Sequence, residues 1–351
     1  MTGISKTASP SENLTDVEAV NQLENLTTEA PPAKTQNKFE RIKAEKDGLV
    51  LKQELELLAS IGWEAIEEPD RDFRLRALGL FYREVTPGRF MLRMRTANGI
   101  MPSNHLRVLA EIVQYYGDHG NADITTRQNI QLRGIRIEDA PDIFRRFEQA
   151  GMTSVQTGVD NVRNVTGSPV AGLEADELID TRGLCRAVQD MITNMGAGNS
   201  AFTNLPRKFN IAIAGCRDNS VHAETNDLAF IPAYKNDQIG FNVIVCGMFS
   251  PKRYQEAVPL NAWVSPDDVV EVCEAVLLIY RNHGLRANRQ KSRLMYLIDA
   301  WGIEKFRSQL EQHLDHSLEP AAESDEMTLN KRDHIGVYRQ KQPGLNYVGL
   351  H

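Results

Sequence analysis

Cysteine is scarce in this 351-residue chain: Cys185, Cys216, Cys246 and Cys273 lie far apart, with no Cys-x-x-Cys pair among them. That spacing excludes a zinc or iron–sulfur site built from these four alone. Each sits in an apolar or helical context and reads as a buried free thiol, which places the chain in a reducing, cytoplasmic compartment. Long apolar runs are also missing. No stretch approaches about 18 uninterrupted apolar residues, so a membrane-spanning helix is excluded. Basic charge is not in surplus either: the net charge is −7, which argues against general attraction to nucleic acid and makes any basic site a local one. There is no Gly-x-Gly-x-x-Gly or Walker loop and no Gly-x-Ser-x-Gly elbow, so the usual nucleotide cradles and serine-hydrolase turn lack support. The eight histidines show no metal-binding helical spacing, and His222 reads as a loop residue.

What is present is an ordinary globular composition, 41% hydrophobic and 25% charged, at a length that suits about two domains. Three segments stand out: Phe90–Arg95, Thr125–Arg133 and Leu205–Ile211. Each puts basic side chains where a buried strand should carry apolar ones. Read with period two, Phe90, Leu92 and Met94 share one face, and Arg93 and Arg95 the other. Phe209, Ile211 and Ile213 point one way, and Lys208, Asn210, Ala212 and Ala214 the other. A basic head followed by two alanines leaves room for a large flat ligand with negative groups. If the second segment runs as one strand, Thr125, Arg127, Asn129, Gln131 and Arg133 also share a face, and arginine forks match carboxylates bidentately. Any one such segment is also what the solvated face of a half-buried strand looks like. Three in one chain favour a polyanionic ligand. Arg163, in a turn-rich loop, reads alone as a surface arginine, and Arg286, Arg289, Lys291 and Arg293 as a solvated helix face.

The organisation is α+β. Residues 1–36 read as a disordered extension, without the arginines of a transit peptide. Residues 37–84 form a helical lead-in, with one charged helix over 39–58. Residues 85–155 follow the order β-α-β-β-α of a ferredoxin-like unit: a strand at 89–96, a helix striped by Leu106, Leu109, Ile112, Val113 and Tyr116, two strands around 122–126 and 129–137, and a helix from Asp139 to Gly151. Residues 156–328 alternate strands (209–215, 227–232, 240–246) with helices, the clearest running from Ser265 to Gly284 and a second over 289–313. Residues 319–326 read as an acidic linker, and 329–351 as the start of a new unit.

Five ordered motifs, Phe90-Met91-Leu92-Arg93, Asp123 to Asn129, Asp160 to Asn164, Leu205 to Asn210 and Gln342 to Asn346, resemble the assimilatory nitrite and sulfite reductases, most of all the ferredoxin-dependent nitrite-reducing branch of cyanobacterial type. The resemblance covers the chain from about Phe39 onward. It implies sirohaem and a [4Fe–4S] cluster as cofactors. It makes 85–155 a ferredoxin-like half-domain, 156–328 a sirohaem-binding α/β domain, and 329–351 the truncated start of a second half-domain. It implies that Arg93, Arg163, Lys208 and Asn210 hold the anionic substrate, and that Arg127, Gln128, Arg133 and Arg207 lie near the sirohaem carboxylates. The implied activity is six-electron reduction of nitrite to ammonium with reduced ferredoxin, by a monomer when complete. Against the family pattern the chain reads as the amino-terminal two-thirds, without the two cysteine pairs that supply the cluster and so inactive alone. Two alternatives stand beside this reading. One is sulfite reduction on the same fold, against which Asn210 stands where sulfite-reducing relatives have a second lysine. The other is a non-catalytic ferredoxin-like binding module, which would need stacking aromatics that the strands lack.

Overall fold

The computed structural model describes residues 37–251, 253–328 and 332–350, so the disordered extension read over 1–36 and the boundary at 329 lie outside the described residues. The lead-in is two helices rather than one: α1 (Lys38–Glu45), capped by the Asn37 side chain, and α2 (Leu51–Ile61). Between them Asp47 caps a short 3-10 turn. Gly48 lies so close to the backbone of Arg74 that a Cβ there would meet its carbonyl oxygen at 2.9 Å and the Ala77 Cβ at 2.6 Å. That close approach breaks the helix expected over 39–58. A short α3 (Glu68–Asp72) follows.

The first sheet takes β1 (Leu80–Tyr82), β2 (Phe90–Arg93), β3 (Ala122–Ile124) and β4 (Ile130–Ile135) in the antiparallel order β1-β2-β4-β3. Helix α4 (Ser103–Tyr116) joins β2 to β3, and α5 (Ala140–Gln149) follows β4, giving the ferredoxin-like order. Phe90, Leu92 and Met94 are buried with Leu109, Ile112, Ile143 and Phe147 as the period-two reading requires, whereas Leu106 is exposed. The second basic segment is not one strand. Residues 125–129 turn sharply: the Gln128 N–H donates to the Thr125 carbonyl at 2.9 Å, and Gln128 has φ +59°. Arg127 therefore stands with Gln128 at a hairpin tip instead of sharing a strand face with Arg133.

The second sheet has β5 (Thr166–Gly167), β6 (Ile211–Ile213), β7 (Leu228–Lys235), β8 (Gln238–Val245) and β11 (Val258–Val264), in the order β11-β8-β7-β6-β5. A ribbon of β9 (Met248–Ser250) and β10 (Arg253–Gln255) lies between β8 and β11. Strands β5, β6 and β7 are parallel, the rest antiparallel. Strand β11 escapes a reading of alternation because its register shifts between Pro259 and Trp263, with Asn261 at φ +55°. Helices α6 (Arg182–Thr193), α7 (Val269–His283), α8 (Leu294–Trp301) and α9 (Ile303–Leu314) contribute to the core on one sheet face, around Phe209, Phe230, Phe241, Tyr280 and Phe306. The helix expected over 289–313 is split by Gly302 at φ +77°.

The opposite face of β6 differs from expectation. Ala212 and Ala214 are buried under Ala223, Ala229, Ile231 and Met327, so the chain fills the room that a flat ligand was expected to use. Nor is 319–326 a free linker: Glu319 bridges to Trp263, and the Asn242 amide holds Ala322 and Asp325. A hairpin of β12 (Gly336–Arg339) and β13 (Asn346–Gly349) follows, docked through the Lys341 N–H on the Leu173 carbonyl at 2.7 Å. No helix among the described residues is long and apolar enough to cross a membrane.

Candidate anion-binding site

The three basic segments meet where the two sheets adjoin. Strand β2 ends at Arg93, whose guanidinium lies 4.6 Å over the Phe81 ring. Gln131, its partner on β4, turned so that its oxygen faces Arg93, accepts two bonds at 3.1 Å. Arg95 does not share this role. It is buried and donates to the carbonyls of Val155, Gln156, Val162 and Arg163, which makes it a strut between the half-domain and the second sheet. Burial pushes its pKa down to about 9.

That strut steers residues 160–164 alongside 205–209, with a parallel bridge between Val162 and Phe209 and the Arg163 N–H on the Phe209 carbonyl at 2.7 Å. Arg163 is half-buried rather than a surface arginine. Its guanidinium donates to the carbonyls of Thr157 at 2.6 Å and Val159 at 3.0 Å. Asn164 carries the hairpin tip: its amide nitrogen donates to the Thr96 and Arg127 carbonyls. The Gln128 side chain bonds both backbone groups of Gly167, so its amide is committed to docking the hairpin on β5. Arg133 pairs with Asp123 at 2.6 Å, at the outer edge of the group.

Charge is dense here. Burial pushes Arg163 down to about 9, helped by Arg93 and Arg127. Lys208 is pushed down to about 8, first by burial and then by Arg293, Arg127 and Arg163, against the pull of Asp227. Arg93, Arg127 and Arg207 are lowered as well, burial leading in each case. Among the described residues the side chains of Arg127 and Lys208 have neither a hydrogen bond nor an ion pair. Both are half-buried, and cations held so close, with Asp227 offsetting them only in part, favour an arriving anion. Asn210 is 3% exposed and its amide oxygen is without a partner.

Two carboxylates make this density tolerable, and reasoning from the sequence missed both. Asp160, wholly buried, takes a bidentate pair from Arg289 at 2.7 and 2.8 Å and lies 3.3 Å from Lys43 and 3.6 Å from Arg207. Burial works against its charge, yet these cations hold its pKa below the usual range. Asp227 takes a bidentate pair from Arg293 at 2.9 and 2.7 Å and accepts the Asn210 backbone N–H at 2.8 Å. Arg289 and Arg293 are therefore not a solvated helix face but the counter-ions of the site's floor, and Arg286 joins them through Glu40 and Asn204. Arg76 adds another cation; its Nε is buried without a partner and its guanidinium lies 6.0 Å from the centre of the Phe81 ring that Arg93 covers. The signal that could have found Asp160 and Asp227 is charge balance, since a buried basic cluster requires buried acids.

Comparison with known proteins accords with this geometry. Residues 82–150 match the family described as the nitrite/sulfite reductase ferredoxin-like half domain, and residues 158–318 the nitrite and sulphite reductase 4Fe-4S domain. The chain is 67% identical over 325 residues to a ferredoxin–nitrite reductase of Leptolyngbya laminosa, covering 93% of this chain and 64% of that protein. It is 57% identical to one of Synechococcus elongatus, covering 90% and 62%. Among solved structures, that of the Mycobacterium tuberculosis NirA protein superposes with a TM-score of 0.80 at 33% identity, covering 89% of this chain and 59% of that one. The chain thus spans less than two-thirds of the length of these relatives.

Proposed function

This chain belongs to the nitrite and sulfite reductase family, and from that premise we propose that it serves the ferredoxin-dependent reduction of nitrite to ammonium, its cationic face holding nitrite and the carboxylates of sirohaem. The observation that carries the reading is the convergence of Arg93, Arg127, Arg163 and Lys208, none of them in an ion pair among the described residues and two of them, Arg127 and Lys208, without a side-chain hydrogen bond either. The donor set suits the group: a polycarboxylate macrocycle needs several half-buried guanidiniums, and here they are already desolvated and underpaired. When bound, sirohaem supplies the redox-active iron at which nitrite is reduced.

The chain's own residues bind and protonate. Arg127, Arg133 and Arg207 take carboxylates of the macrocycle, while Gln128 acts by fixing the hairpin that presents Arg127. Arg93, Arg163, Lys208 and Asn210 face nitrite. Guanidinium and ammonium donors stabilise charge that grows on the nitrite oxygens. Lys208, with a pKa of about 8, is mostly protonated at neutral pH and gives up its proton at little cost. The thiolates of a [4Fe–4S] cluster are assigned to cysteines other than the four in this chain, which are all buried and unpaired; such free thiols suit a reducing cytoplasm. Nitrite is preferred to sulfite because a monoanion needs less cationic charge than a dianion, and Asn210 is neutral.

The test is nitrite-dependent oxidation of reduced ferredoxin by the protein carrying both sirohaem and the [4Fe–4S] cluster, with sulfite run in parallel and ammonium measured. Faster turnover with sulfite would move the assignment to the runner-up. A protein that takes up no sirohaem would leave only the binding-module reading.

A further inference from the structure

A second cluster, away from the cationic face, points to a metal. Beyond the carboxyl ends of the parallel strands β5 and β6, the loops that follow carry Glu174 and Asp218, and the segment leading into β12 brings His334 between them. One ligand atom from each of the three lies within 4.8 Å of the others. Both carboxylates are more than nine-tenths buried, and among the described residues each has one oxygen, Oε2 of Glu174 and Oδ1 of Asp218, without a partner at hydrogen-bond distance, the Cys216 thiol lying near Glu174. A buried carboxylate oxygen left bare is costly unless something positive occupies the space it faces.

The local charge is unbalanced in the same sense. Arg332 bonds the other oxygen of Glu174 at 3.0 Å, but it also makes a bidentate pair with Asp176 at 2.8 Å. Among the described residues Arg332 is the one guanidinium bonded to these carboxylates, and Arg217 acts on Asp176 from further off, so negative charge stays in excess around Glu174 and Asp218. His334 places Nε2 3.1 Å from Asp218 Oδ2 and has the Tyr347 hydroxyl 3.5 Å from Nδ1, so its second nitrogen faces a polar group as metal-binding imidazoles commonly do. One imidazole nitrogen and two carboxylate oxygens suit a borderline divalent ion such as zinc or manganese, with water completing the shell.

We propose that Glu174, Asp218 and His334 form a structural site for a divalent transition cation, which pins the β12–β13 hairpin to the second sheet. The site stands on these residues alone and not on the activity proposed above. The ion replaces the His334–Asp218 contact and gives the bare carboxylate oxygens a partner.

The experiment is titration of the metal-stripped full chain with Zn²⁺ and with Mn²⁺, read by calorimetry and by elemental analysis after dialysis. The expected result is one equivalent per chain, with affinity falling by at least about tenfold in His334→Ala and His334→Gln and unchanged in His119→Ala, a histidine in the loop between α4 and β3 of the first sheet. Circular dichroism guards against unfolding, and Co²⁺ absorption reports the ligand set directly: its ligand-field bands should change in His334→Gln. Absence of a stoichiometric site, equal binding in the His334 variants, or loss in His119→Ala would overturn the proposal and leave an ordinary buried ion pair.

Discussion

Lys208 is a cation that holds its proton loosely. With a pKa of about 8, its charge is present below that value and fades above it, so nitrite affinity should fall as pH rises through about 8. In Lys208→Ala the same titration should be flat, and turnover of the protein carrying both sirohaem and the [4Fe–4S] cluster should drop by about 10²–10³, the usual loss of one preorganised charged donor. Arg163→Ala should lose a similar factor while keeping its sirohaem absorption. Wild-type turnover in either variant would remove that residue from the site. Asn210→Lys tests selectivity. It adds a cation beside Lys208, from which a dianion gains more than a monoanion, so the sulfite-to-nitrite rate ratio should rise. A ratio that stays level or falls would show that Asn210 does not discriminate.

At the scale of elements, the Asp227–Arg293 pair joins the start of β7 to the turn before α8 and fixes the backbone of Asn210. Asp227→Ala would leave a buried guanidinium unpaired. It should lower the unfolding free energy by about 3–5 kcal/mol, read as a shifted urea midpoint with little change in slope; a shift under about 1 kcal/mol would mean water reaches Arg293. Elements with local signals were legible in the sequence. Helix α7 announces itself with Ser265-Pro266 and ends at Gly284 as expected, and the apolar faces of β2 and β6 follow period two. What stayed hidden depends on distant neighbours. The break between α1 and α2 exists because Gly48 meets Arg74, and the turn at 125–129 because it docks on Gly167. Strand β11 lacks alternation, and no local pattern says that Met327 will cover Ala212. The candidate site divides the same way. Its cations were visible as residues out of place on strands. Arg289 and Arg293 were misread because their carboxylate partners lie 129 and 66 residues away.

For the molecule as a whole, the four cysteines decide what it can hold by itself. All are buried, and burial pushes Cys185 to about 12 and raises the others too. The native chain should therefore react slowly with thiol reagents and release four equivalents only in denaturant. After anaerobic reconstitution it should carry almost no iron or labile sulfide. Close to four of each per chain would overturn the assignment of the cluster's thiolates elsewhere.

Asp160 has a bearing on the order of folding. Its cations come from α1, from the stretch before β6 and from the turn after α7, so loops of more than a hundred residues must close before the carboxylate is neutralised. Secondary structure can form while this junction is still open, but the cationic face cannot. In refolding from urea, recovery of anion affinity should lag the far-ultraviolet signal. Coincident recovery would mean that Asp160 is neutralised early, by fewer cations than the native state brings to it.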